Sequence, residues 1–270
     1  MTNSLAAVTG ASAGIGTVFA RRLAAQGYDL LLIARRGDRL TKLAAELELA
    51  HAIHAEVCAA DLSVAADMER VAARLAAEPR LDLLVNNAGF GVNGCFWEAP
   101  LDEQLKMHRL HIGAILRLTH ATLPPMVARG RGGIINVASV AGFARSPGSA
   151  SYCATKSWVN AFTEGIYVDL KAAHSPVVVQ ALCPGFTYSE FHDVAGVDRA
   201  SIPKSLWMSA EDVVDASLAG LRRRKLFVVP GWRYKLLVAL VNRIPVGLRL
   251  RLEAGALHKR ARVPEGGNHG

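Results

Sequence analysis

The chain has 270 residues, 51% hydrophobic and 20% charged, which is enough apolar material for a substantial core and unlike a disordered chain. Its net charge of +8 is partly gathered at residues 222–225 and 249–262, but no basic stripe interleaved with stacking aromatics accompanies it, which argues against a nucleic-acid-binding protein. No repeat or low-complexity linker divides the chain, and no apolar run approaches the roughly 20 residues of a membrane span, so one large domain is expected.

Apolar runs of strand length occur at 5–8, 29–34, 53–57, 81–85, 133–138, 177–183 and 226–229. Between them, segments such as 14–26, 38–47, 101–128, 151–173 and 210–224 carry helical periodicity. Strands apolar on both faces, alternating with helices, predict an α/β doubly wound fold: a mainly parallel sheet of about seven strands with helices on both faces. Such sheets bind ligands outside the carboxyl ends of their strands, so the residues just after each strand are the ones to read for function.

After the first strand come Gly10, Ser12, Ala13, Gly14, Ile15 and Gly16, a glycine-rich turn opening a helix. Glycine permits the tight turn and lets backbone amides approach a pyrophosphate, while the helix presents its positive end. The second strand ends in Arg35 and Arg36. An NAD site of this architecture places an acidic residue there; two basic residues suit the extra 2′-phosphate of NADP instead. Asp61 follows the third strand, where it meets the adenine edge or caps the next helix, a role that Ser63 could fill equally. After the fourth strand, Asn86, Asn87, Ala88 and Gly89 offer two amides that can bond adjacent strands and small residues that leave room for a cofactor.

The stretch from Ser139 to Lys156 places a hydroxyl just after the fifth strand and a tyrosine thirteen residues later, opening a helix. Tyr152 and Lys156 are four apart and share a helix face, an arrangement suited to an acid–base phenol whose pKa a nearby ammonium would lower. Tyr167 and Lys171 repeat the spacing, so spacing alone does not choose between the pairs. The four cysteines (Cys58, Cys95, Cys153, Cys183) lack paired spacing and read as reduced thiols of a cytosolic chain. No metal site is expected: His108 and His111 have no carboxylate or cysteine partner at ligand spacing. The amino terminus shows no secretory pattern, which fits a cytoplasmic protein.

Taken in order, the TGASAGIG turn, Asp61, the NNAG loop, Ser139, Tyr152 with Lys156, and Pro184-Gly185 after the sixth strand resemble the short-chain dehydrogenase/reductase family over about residues 2–229. The resemblance implies a Rossmann fold, a nicotinamide cofactor and hydride exchange between a carbonyl and an alcohol. It selects Tyr152 as acid/base, because only that tyrosine has Ser139 and Pro184-Gly185 at family spacing. It further implies that Ser139 bonds the carbonyl oxygen and that Lys156 tunes Tyr152 and holds ribose hydroxyls. Asp61 with Leu62, and Asn87, Ala88 and Gly89, would line the cofactor, and Pro184, Gly185 and Thr187 its carboxamide end. A homodimer or homotetramer is implied through the helices carrying His111 and Tyr152. The family's asparagine, which places a proton-relay water, is His111 here. Either the imidazole orients the same water, or the relay is broken.

Residues 186–208 are read as a substrate loop, apolar through Phe186, Phe191, Val194, Val197, Ile202, Leu206, Trp207 and Met208. With Phe90, Phe96, Trp97 and Phe143 nearby, a hydrophobic ketone, aldehyde, steroid-like or acyl-chain substrate is expected, or else these residues simply fill the core. Residues 231–263 read as two short amphipathic helices broken at Pro245, and 264–270 as a disordered tail. The helices could cover the cleft, pair subunits or make a peripheral contact with an anionic membrane. The expected protein is therefore an NADP(H)-dependent carbonyl reductase or alcohol dehydrogenase of the core 1–230. The alternatives are a non-catalytic NADP-binding regulator and a membrane-associated lipid reductase.

Overall fold

The architecture is built on seven strands: β1 (Leu5–Thr9), β2 (Asp29–Ala34), β3 (Ala55–Ala59), β4 (Leu81–Asn86), β5 (Gly133–Val137), β6 (Val178–Leu182) and β7 (Phe227–Val228). In the computed structural model, which describes residues 3–190 and 202–260, they form one parallel sheet in the order β3-β2-β1-β4-β5-β6-β7. The chain winds outward from β1 to β3, then returns to lay β4 against the other side of β1. The carboxyl ends of β1 and β4 therefore flank the switch point where such folds bind ligands.

Helices α1 (Gly14–Ala24), α2 (Gly37–Ala50), α3 (Ala65–Ala76), α4 (Leu101–His108), α5 (Ile115–Ala128), α6 (Ala150–Ala172) and α7 (Ala210–Arg222) cover the sheet. The sequence explains the two layers residue by residue. Side chains alternate across a strand, so Val8, Leu30, Leu32 and Val85 join Phe19, Leu40 and Val213 in one core. Ala7, Leu31, Ile33 and Leu84 join Val71, Leu75, Leu118 and Ile166 in the other. Each fully buried aliphatic side chain contributes about 1.5–3 kcal/mol.

Two elements differ from their expected form. β3 begins two residues later than its apolar run, because its register is set by pairing with β2 from Leu30↔Ala55 to Ala34↔Ala59; the Ile53 amide instead closes a turn on the His51 carbonyl. The 101–128 helix is not continuous. A π-helical turn, Arg109–Ala114, separates α4 from α5, and such turns concentrate at functional sites. It carries His111, fully buried.

After β6 a strap, residues 186–190, runs along the top of the sheet and is tied to Met208 by an isolated bridge from Thr187 and by paired backbone bonds from Tyr188 and to Phe186. Phe191, Val194 and Val197 of the expected substrate loop lie outside the described residues, as does the tail 264–270. Beyond Gly231 the chain forms α8 (Trp232–Val241) and α9 (Val246–Arg260). Trp232, Leu236, Leu240, Leu248 and Leu252 are exposed on these helices. No helix among the described residues is long and apolar enough to cross a membrane.

Candidate active site

A cleft of about 780 Å³ opens above the carboxyl ends of the strands. Of the site residues expected from the sequence, all but Gly16 and His111 line it. Those two sit just beneath.

At one end the β1–α1 turn is shaped by close approach. Gly10 has φ +67, and a Cβ there would lie 2.8 Å from Asn87 Nδ2, so only glycine fits comfortably. Thr9 Oγ1 accepts from the amides of Asn87 (2.9 Å) and Ala88 (3.0 Å), and Asn87 Nδ2 donates back to the Thr9 carbonyl (3.0 Å). These bonds stitch the two sides of the switch point together. The α1 N-cap, Ala13, supplies no side-chain acceptor, so no side-chain cap competes for the first amides of α1, and Ala13, Gly14 and Ile15 line the cleft there. Asp61 is held below the usual carboxylate range. Burial pushes it up, but bonds from the Ser63 hydroxyl (2.6 Å) and amide (2.9 Å), with the charges of Arg35 and Lys106, outweigh that. Its carboxylate thus closes a local turn rather than capping α3, whose N-cap is Val64.

Arg35 is exposed at the edge. Arg36 donates to Ser12 Oγ from Nε (3.2 Å) and Nη2 (3.1 Å), bringing its guanidinium over the glycine-rich turn. Small turn, helix amides and guanidinium together form a donor set that fits a dinucleotide phosphate chain.

At the other end, Ser139 closes β5 and Tyr152 and Lys156 rise from the first turns of α6. Ser139 Oγ lies 3.4 Å from the Pro184 carbonyl and accepts from the Ala141 amide (3.1 Å), which fixes its rotamer. Tyr152 and Ser139 are hydrogen-bonded. The Tyr152 ring is half-buried, one side facing the cleft. Burial around the hydroxyl pushes the phenol up to about 12, and the bond with Ser139 only partly opposes this. Burial likewise pushes the Lys156 ammonium down to about 8. Its Nζ donates to the Val137 carbonyl (2.8 Å) and stands 5.8 Å from the Tyr152 ring centroid. The lowering of the phenol expected from Lys156 does not appear in this arrangement: burial dominates, the Ser139 bond alone opposes it, and the ammonium is directed at a carbonyl. Tyr167 lies roughly 22 Å further along the helix, packed against the lower core with Lys171 over its ring. It has no access to the cleft.

His111 is engaged by the protein at both ring nitrogens, which accords with the broken-relay alternative rather than with a water-orienting imidazole. Its Nε2 accepts from the Phe90 amide (3.2 Å), so that nitrogen is unprotonated, and Nδ1 faces Thr155 Oγ1 at 3.0 Å as the N–H donor. Thr155 in turn donates to the Tyr152 carbonyl (2.8 Å). Burial and the Lys156 charge hold the imidazole well below its ordinary pKa. Both nitrogens are spent on the protein, so the ring is a brace between the π-helical turn, the NNAG loop and α6. His111→Asn is expected to leave the shape of the pH–rate profile unchanged between pH 6 and 9. It should also remove an acid sensitivity. A histidine neutral in the fold has its full stability above the unfolded pKa, about 6.5, and loses it as pH falls below that value. The wild-type Tm should therefore drop more between pH 7 and 5 than the variant's. A changed rate profile in the variant would restore a relay role to His111.

The substrate end is only partly what composition suggested. Phe90, Phe186 and Ile202 line the cleft. Phe96 and Trp97 are exposed and Phe143 packs on Phe227, and none of the three lines it. Sequence reasoning missed Tyr234 and Leu237 of α8, which complete the wall. The Tyr234 hydroxyl accepts from the Phe186 amide (3.0 Å) and donates to the Leu206 carbonyl (2.6 Å), clamping both ends of the loop. Nothing local in the sequence marked it, because it lies after the last strand.

The family profile described as short chain dehydrogenase matches residues 4–199. A short-chain dehydrogenase from Sphingobium yanoikuyae, solved in complex with NADPH, is 32% identical, with 98% of each chain covered and a TM-score of 0.79. A bulky-bulky ketone specific alcohol dehydrogenase from Comamonas testosteroni is 28% identical, covering 100% of this chain and 98% of that one, with a TM-score of 0.77. A short-chain dehydrogenase/reductase from Burkholderia phymatum, in complex with NAD, is 26% identical, covering 88% and 92%, with a TM-score of 0.78. The parallel sheet, its switch-point cleft and this match define the class, an oxidoreductase on a dinucleotide-type fold. The chain belongs to the short-chain dehydrogenase family.

Proposed function

We propose that the protein is an NADP(H)-dependent oxidoreductase interconverting a carbonyl and an alcohol on a hydrophobic substrate. The observation carrying this reading is the convergence of Ser139, Tyr152 and Lys156 in the cleft that the glycine-rich turn and Arg36 also line. Gly10, Gly14, Asn87, Ala88, Asp61 and Thr187 would hold the cofactor, with Arg36 at its adenosine end. When bound, the nicotinamide supplies or accepts hydride.

The protein's own groups handle the proton. With its phenol raised to about 12, Tyr152 is protonated at neutral pH and is poised to give its proton to a carbonyl oxygen, the direction of reduction. The Ser139 hydroxyl donates to the same oxygen and steadies the charge that develops there. The phenolate left behind gains the attraction of the Lys156 ammonium. Phe90, Phe186, Ile202 and Leu237 favour an apolar substrate body, in keeping with the ketone specificity named for the Comamonas relative.

NADPH oxidation against a panel of aldehydes, bulky ketones and steroids tests the assignment. Tight NADPH binding with no turnover across the panel would overturn it in favour of a regulator. The charged form of Lys156 is populated below its value of about 8, so reduction should hold steady from pH 6 to 7 and decline as pH rises through that value. A rate unchanged to pH 10 would remove the Lys156 charge from the mechanism.

A further inference from the structure

The Glu190 carboxylate sits between two arginines of the β2–α2 corner. The residue ends the described part of the strap after β6. Oε2 accepts from Arg36 Nη1 at 2.8 Å and Oε1 from Arg39 Nη1 at 2.6 Å. These bonds hold the Glu190 carboxyl below its usual range. Arg36 is the same side chain that donates to Ser12 and lines the cleft, and Glu190 lines the cleft beside it.

The strap reaches this corner by crossing the glycine-rich turn. A Cβ on Gly14 would lie 2.8 Å from Ser189 Cβ, so the approach is possible only over glycine. Upstream, Tyr188 stacks on Trp207 with ring centroids 4.9 Å apart, and Thr187 pairs with Met208. One short segment thus joins the substrate end of the cleft to the arginines at its adenosine end. The Arg36 and Glu190 side chains are about half exposed, at 41% and 46%. Ion pairs this exposed are weak and readily exchanged, and a phosphate with nearly two charges and three acceptor oxygens outcompetes one carboxylate for a guanidinium.

We propose that Glu190 is a built-in competitor for the 2′-phosphate of the cofactor. Its carboxylate already takes an Arg36 Nη1 hydrogen and neutralises the guanidinium that the phosphate would pair with, so binding of the phosphate weakens or displaces the Glu190 contact. Glu190 then sets the margin by which a 2′-phosphorylated cofactor is preferred. This inference rests on the reading of Arg36 as the 2′-phosphate contact.

Titrating the wild type and Glu190→Gln with adenosine 2′,5′-bisphosphate and with 5′-AMP separates the two ideas without involving turnover. The variant is expected to bind the bisphosphate roughly threefold to tenfold more tightly, with AMP affinity unchanged and the same Tm. Equal bisphosphate affinity in both proteins would overturn the competitor role, leaving the NADP reading intact if both prefer the bisphosphate. Weaker AMP binding by the variant would also overturn it, since Glu190 would then be accepting from ribose hydroxyls. No preference for the bisphosphate in either protein would defeat the NADP reading and this inference with it, whereas a preference that appears only in the variant would uphold the competition.

Discussion

Tyr152→Phe is expected to lower turnover by about 10²–10⁴-fold, the usual contribution of a positioned general acid, while NADPH affinity changes by less than about twofold. The substitution removes one oxygen and keeps the ring. The edge-on contact with His111, at 5.9 Å between centroids, and the Lys156 ammonium 5.8 Å from the ring both remain available to phenylalanine. The lost hydrogen bond to Ser139 costs about 1 kcal/mol, offset by the relief of no longer burying a polar group. Stopped-flow hydride transfer with a ketone substrate, beside a fluorescence titration of NADPH, reads both quantities. Tyr167→Phe serves as the control, since that ring packs against the lower core and Lys171 and does not line the cleft. A Tyr152→Phe enzyme as fast as the wild type would refute the assignment.

Gly16→Ala should damage fold and cofactor site together. A Cβ at Gly16 would lie 2.2 Å from the Gly10 carbonyl oxygen and 2.6 Å from Asn87 Nδ2. Neither neighbour can simply rotate away. Gly10 is backbone in a left-handed turn, and Asn87 Nδ2 is bonded to the carbonyls of Thr9 and Gly10. Overpacking of this kind costs about 1–3 kcal/mol, which for a chain of this size lowers the Tm by roughly 2–10 °C. Lifting α1 away from the turn also moves its first amides out of line with the phosphates. NADPH affinity is expected to fall about tenfold or more, at least 1.4 kcal/mol. Differential scanning fluorimetry with and without NADPH separates the effects, and an unshifted melting curve with wild-type affinity would contradict the packing described here.

Much of this was legible in the sequence because it is local. The doubly wound sheet follows from apolar runs alternating with helical periodicity, and the residues after strand ends converge because parallel strands all point the same way. The π-helical turn that divides 101–128 is not legible in the sequence, because periodicity hardly registers its extra residue. What places that turn beside the catalytic helix is a set of long-range bonds, from the Phe90 amide to His111 and from His111 to Thr155. The apolar wall was misassigned for a related reason. Phe96, Trp97 and Phe143 neighbour cleft residues in sequence but do not line the cleft, whereas Tyr234 and Leu237 arrive from a helix after the last strand and do.

The sequence by itself determined the fold class, the glycine-rich turn and the spacing that puts Ser139, Tyr152 and Lys156 within reach of one another. These depend on strand order and helical pitch, which residue type and spacing encode directly. Only the tertiary structure decided the electrostatics. Burial, which no linear pattern measures, raises Tyr152 and lowers Lys156, and it turns His111 from a prospective relay into a neutral brace. The distance between Glu190 and Arg36 in the chain likewise concealed that the positive corner at the end of β2 already holds a carboxylate.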